Sequence, residues 1–162
     1  IGLLAWAGDD AVGIAHFGPA LTSTGITADL VQAFDDAEPV SDGCSTILNA
    51  EAVAGRIAVV DRGGCEFTVK ARNAQNAGAL ALIVIDNVAE WPPADLGGND
   101  PNVLIPAVRL GLNDGWMLQA AMQEGPVNGT LGLFNAVRQG ADRQGHLLVH
   151  APYPFQSGAS LT

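Results

Sequence analysis

Between Gly55 and the pair Gly63-Gly64, the apolar residues Ile57 to Val60 run without a polar break, a pattern that predicts a short buried strand. Past the glycines the period changes. Phe67, Ala71, Ala74 and Gly78 recur at spacings of four, three and four, which places them on one helix face, while Lys70, Arg72, Asn73, Gln75 and Asn76 mostly point elsewhere. Gly78 ends this helix as a left-handed cap. Leu80 to Ile85 is again unbroken and predicts a second strand, buried on both faces, so the unit reads as strand, helix and parallel strand.

Regularity stops at Asn87. From there to Asn102 the breakers Trp91-Pro92-Pro93, Gly97-Gly98 and Asp100-Pro101 predict a long surface loop, whose only aromatic side chain, Trp91, either anchors a partner or folds back onto the sheet. Val103 to Leu110 reads as a strand in which Pro106 marks an edge or a bulge. Asn113 is the expected N-cap of a helix with Asp114 in its first turn, running through Trp116, Leu118, Ala120 and Met122 to Gly125-Pro126. Gly129 to Phe134 follows as a strand. Val12 to Phe17, Asp29 to Phe34 and His146 to His150 also have strand character, and these flanking segments are expected to pair with each other.

A chain of 162 residues is of one-domain length and long enough to bury a sizeable core. No apolar run approaches the roughly 20 residues that span a bilayer, and the first seven residues make too short a run, with no basic flank, for a signal peptide. The formal net charge of −10, with only 7 lysines and arginines, opposes nucleic acid and anionic membrane as partners. Cys44 and Cys65 are too few for a structural zinc site. They are either a disulfide, closing a loop of about 20 residues worth roughly 3 kcal/mol, or two buried thiols in a reducing compartment.

The stretch Gly55-Arg56-Ile57-Ala58-Val59-Val60-Asp61-Arg62-Gly63-Gly64-Cys65-Glu66-Phe67, with Lys70-Ala71-Arg72-Asn73-Ala74-Gln75-Asn76-Ala77-Gly78-Ala79 after it, resembles the core motif of the protease-associated (PA) domain. Asp42-Gly43-Cys44 and Asn49 to Ala54 upstream, and Asp86-Asn87, Ile105-Pro106-Ala107-Val108 and Asn113-Asp114-Gly115 downstream, are similar to the family in order and spacing. The resemblance implies an α+β, β-rich domain of the PA-type swivelling β/β/α fold, with a barrel or sandwich core flanked by short helices. Its core would span residues 29–134 within a single domain of residues 1–150, flanked by 1–28 and 135–150, and residues 151–162 would be a linker to the rest of a longer, bacterial protein. It also implies a secreted location, which favours the Cys44–Cys65 bridge.

Members of this family are non-catalytic inserts. The expected function is therefore that of an accessory domain of a secreted protease or protease-like protein, mediating peptide or protein substrate binding or regulating access to a neighbouring active site. The alternatives are a structural spacer or lid with no free ligand and, least favoured, an independent hydrolase. The expected partners are peptide or protein substrates and the catalytic domain of the same polypeptide.

Arg62-Gly63-Gly64-Cys65, at a strand end and before a helix, offers backbone N–H groups that attract an anion, with Arg62 as a bidentate donor. Equally, the glycines can simply make the turn while Arg62 pairs with Asp61 or another acid. The candidate ligand-binding set is Arg62, Gly63, Gly64, Phe67, Asp86, Asn87, Trp91 and Arg109. Neither a Gly-x-Ser-x-Gly elbow nor a His-Glu-x-x-His helix is present, and His16, His146 and His150 all lie in the flanks, so no catalytic residue is expected. No metal or cofactor is expected either; calcium in the acidic loops Asp35, Asp36, Glu38, Asp42 and Asp95, Asn99, Asp100 is the alternative, and neither group has the EF-hand spacing.

Overall fold

The computed structural model describes residues 10–135 and 143–150. The segment expected to be a linker, residues 151–162, lies outside them. Among the described residues, seven strands close into a barrel: β1 (Asp10–Ile14), β2 (Ile26–Gln32), β3 (Ile57–Asp61), β4 (Ala81–Ile85), β5 (Ala107–Leu110), β6 (Val127–Asn135) and β7 (Arg143–His150). Their order around the barrel is β1-β5-β4-β3-β2-β6-β7. The four strands β2, β3, β4 and β5 run parallel, in register Leu30 with Ile57, Ile57 with Ala81 and Leu82 with Ala107. The flanking strands β1 and β7 pair antiparallel, Asp10 with Leu147 and Ala11 with His146.

The unbroken apolar runs of β3 and β4 follow from packing on both faces. Side chains alternate across a strand. Ile57, Val59, Ile83, Ile85, Val108 and Leu110 therefore point one way and join residues from all seven strands in the barrel interior. Ala58, Val60, Leu82, Val84 and Ala107 point outward into a second core. Helix α2 (Phe67–Asn76) covers that core with Ala71 and Ala74, whose small side chains let the helix lie close to the sheet, and Phe17, Leu96 and Val103 complete it. A single helical turn, α1 (Ala50–Val53), adds the buried Val53.

Helix α3 (Leu112–Glu124) plugs the barrel end at which the parallel strands finish, contributing Leu118 and Ala121 to the interior. It approaches so closely that a Cβ at Gly115 would collide with the side chain of Ile85. Three expectations are corrected here. α3 starts at Leu112, with Gly111 as its N-cap, because β5 ends at Leu110 and the chain turns at once; Asn113 falls inside the first turn and caps nothing. β5 begins only after Pro106, since Val103 is held in a turn through Asp100 and Leu104 is exposed. Lys70, expected to point away from the buried face of α2, is fully buried.

Candidate functional site

The carboxyl ends of parallel strands are where open α/β sheets gather their ligands, and here the ends of β2 to β5 converge on a rim beneath α3. Main-chain bonds continue past the strands: Asp61 N–H donates to Ser41 O, Arg62 N–H to Ile85 O and Asp86 N–H to Leu110 O, each at 2.9 Å. The rim is thus built from the loop at residues 39–44, the turn at 62–66 and the start of the loop after β4.

Cys44 and Cys65 form a disulfide with a Cα to Cα distance of 5.9 Å, which ties two of these loops together. The turn between them needs glycine. Gly63 and Gly64 have φ of 119° and 84°, and a Cβ on Gly64 would lie 2.7 Å from an oxygen of Asp42 and 3.1 Å from Cys44 Sγ. Under the disulfide sits the Lys70 ammonium. Its Nζ donates to the carbonyls of Asp42, Asp61 and Gly63 and lies 3.5 Å from Cys44 Sγ. Burial pushes this amine below its usual value, against the upward pull of Asp42, Asp61 and Asp35.

A second polar network lies beside it. Arg62 Nη1 donates to Asp86 Oδ1 at 2.8 Å, and Arg109 Nη1 donates to the same oxygen at 3.3 Å. Arg109 also reaches Asp95 O at 3.2 Å and stacks 5.0 Å above the Phe67 ring. Burial raises the Asp86 carboxyl, but the Arg62 bond, the Arg109 charge and the N–H groups of Asn87 and Val88 together hold it below the ordinary carboxylate value. Asp86 and Arg109 are buried, while the Arg62 side chain remains 33% exposed.

Two cavities open along this rim and share one wall. Leu112, Trp116, Gln119 and Gln123, spaced four, three and four along α3, lie on one face of it. The smaller cavity, about 600 Å³, is bounded by Leu112, Trp116 and Gln119 opposite Pro39, Arg62, Gly64 and Asn87. The larger, about 830 Å³, runs on past Gln119 and Gln123 toward Phe34, Arg56 and Pro126. Ser41, Asp61 and Gln119 line both. Trp91 and Trp116 are 73% and 60% exposed, and Trp91 lines a further cleft with Glu90, Leu112 and Asp114. Burial raises the Asp114 carboxyl.

Of the residues singled out from the sequence, Arg62, Gly63, Gly64, Asp86 and Asn87 line the smaller cavity, Trp91 stands in the neighbouring cleft, and Phe67 and Arg109 lie in the internal network. Trp116, Gln119 and Asp61 were not in that set. Their signal was faint: Trp116 looked like one more apolar residue of a core-facing helix.

Four side chains of the acidic loops have partners within the chain. Asp35 and Asp42 both accept from Cys44 N–H, Asp95 accepts from Ile14 N–H and pairs with His16 at 3.0 Å, and Asp100 pairs with Arg72 at 3.0 Å. Among the described residues no three His, Cys, Asp or Glu side chains are grouped to hold a metal ion, and no helix is long and apolar enough to cross a membrane. Cys65, bound in the disulfide, offers no thiolate. His150 shares a hydrogen bond of 2.7 Å with Thr130 on β6.

Comparison with known proteins places this arrangement. A stretch of 47 residues is 60% identical to the human (Homo sapiens) ER degradation-enhancing alpha-mannosidase-like protein 3, covering 29% of this chain and 5% of that protein. Over 81 residues the chain is 35% identical to the Minor extracellular protease Vpr of Bacillus subtilis (strain 168), covering 50% of this chain and 10% of the protease. Among solved structures, BSAP, a zinc aminopeptidase from Bacillus subtilis, matches with a TM-score of 0.53 at 26% identity, over 78% of this chain and 31% of that one. The chain therefore spans a tenth or less of these two curated relatives and about a third of the aminopeptidase. The family profile described as PA domain matches residues 26–118, more than half of the chain, from β2 into the first half of α3, and the chain belongs to the PA domain family.

Proposed function

We propose that this chain is a non-catalytic accessory domain of a secreted protease or protease-like protein, and that its rim docks an extended segment of polypeptide, from a substrate or from the catalytic region of the same protein. The observation that carries this reading is the pair of adjoining cavities along one face of α3, open at the strand ends and flanked by the exposed Trp116. An exposed tryptophan beside a concave, partly apolar surface is the usual anchor of a protein contact. The kinship with an extracellular protease and a zinc aminopeptidase supports the protease context. The disulfide supports an oxidising compartment.

Titration of the isotopically labelled chain with a mixed peptide library tests the proposal. Saturable shifts are expected at the amides of Arg62 to Phe67, Asp86, Asn87 and Gln119 and at the indole N–H groups of Trp91 and Trp116. No saturable shift at millimolar peptide overturns it. One observation favours the alternative of a lid or spacer: Arg62, Asp86 and Arg109 pair with each other. In that case removing the domain from its parent enzyme changes activity on whole proteins and leaves activity on small substrates intact, while the isolated chain binds no peptide.

A further inference from the structure

The cations around the rim are already committed, and one of the carboxylates is not. Arg62 and Arg109 share Asp86, and Arg109 lies 4.0 Å from Glu90, so two guanidiniums face two carboxylates. Lys70 has three carboxylates around it, Asp42, Asp61 and Asp35, for a single ammonium. Asp35 and Asp42 are buried and turned to the Cys44 N–H. Asp61 differs from both. It stands half-buried at the end of β3, where the two cavities meet; its main-chain carbonyl accepts from Lys70, but among the described residues its carboxylate oxygens accept from neutral groups, Ser41 Oγ at 2.7 Å and Gln119 Nε2 at 3.0 Å. Among the described residues no cation lies within ion-pair distance of its side chain. Arg56, which lines the larger cavity only, is turned to Ala52 O.

Trp116 supplies the second half of the geometry. It precedes Gln119 by three residues on the same face of α3, lines the smaller cavity with Asp61, and is 60% exposed. A carboxylate with an aromatic face in the same cleft suits a cation on an aliphatic stem: the stem packs on the ring, the ring quadrupole attracts the charge, and the carboxylate receives the donor. Resting on the docking function proposed above, we infer that the rim selects basic side chains, with Asp61 receiving the lysine or arginine of a docked peptide and Trp116 packing along it. The net charge of −10 draws such a peptide in and repels acidic ones.

The test uses the 162-residue chain and a short capped alanine-serine peptide with one central lysine, alongside versions with glutamine, norleucine or glutamate at that position. The lysine peptide is expected to bind about three- to tenfold more tightly than the glutamine peptide, and the glutamate peptide most weakly. Asp61→Asn, which keeps the shape and an acceptor for Ser41, is expected to bring the lysine peptide to the level of the glutamine one. Trp116→Ala, at an exposed position where folding is not at stake, is expected to remove part of the preference and decides the matter if Asp61→Asn fails to fold. Equal binding of all four peptides, or a lysine preference that survives both substitutions, overturns the inference and leaves docking intact. If no peptide saturates, the docking function itself fails and this inference fails with it.

Discussion

An ammonium group without solvent contact sits at the centre of the rim, and three backbone carbonyls depend on it. Lys70→Met fills the space but leaves those carbonyls without a donor, so a loss of about 2–4 kcal/mol is expected in a urea titration, at the scale of unsatisfied buried acceptors. At Asp86, Asp86→Asn leaves two guanidiniums facing a neutral amide and is expected to cost about 3 kcal/mol. The same carboxylate sets an acid limit. Its folded-state value lies below the ordinary one, so its stabilisation is fully present above the unfolded-state value and is lost as pH falls through the lowered folded value. The urea midpoint of the wild type should therefore fall more steeply below about pH 4 than that of Asp86→Asn. Neither burial was legible from periodicity. A helix-face argument sorts residues by type and assigns Lys70 to solvent; a ring of carbonyls from the loop at residues 39–44 and from the end of β3 with the turn after it is what overrides it. Arg62 was legible in kind, as a residue that pairs with an acid, although its partner came from the end of another strand.

At the scale of elements, the strand, helix and parallel strand from Ile57 to Ile85 could be read directly, because both strands are buried on two faces and the helix carries small residues on its inner one. The ends of elements were harder. α3 begins where β5 forces a turn, and β5 begins where Pro106 allows pairing, so both boundaries are set by neighbours rather than by a local cap. α1 is a single turn, too short to leave a periodic trace. Replacing both Cys44 and Cys65 with serine frees a loop of 21 residues' separation and should lower stability by roughly 3 kcal/mol, with faster amide exchange in residues 39–44 and 62–66. Gly115→Ala must push α3 away from Ile85, which is expected to cost about 1–3 kcal/mol by thermal or chemical melting and to shift the Trp116 and Gln119 resonances.

Across the whole molecule, barrel closure removes the strand edges that many peptide-binding domains offer, because every named strand has two neighbours. Recognition by strand addition is thereby closed off, and side chains at the rim are left as the means of contact. Closure also decides how such a module joins a larger protein. The first and last strands of the described residues, β1 and β7, lie side by side, with Asp10 opposite Leu147. A polypeptide therefore enters and leaves the barrel at the same end, on adjacent strands that lie about 5 Å apart across the ladder. A host protein can accept the whole barrel at a single surface bend, parting its own backbone by little more than the width of a hairpin, and can lose it again by excision without redrawing its own architecture.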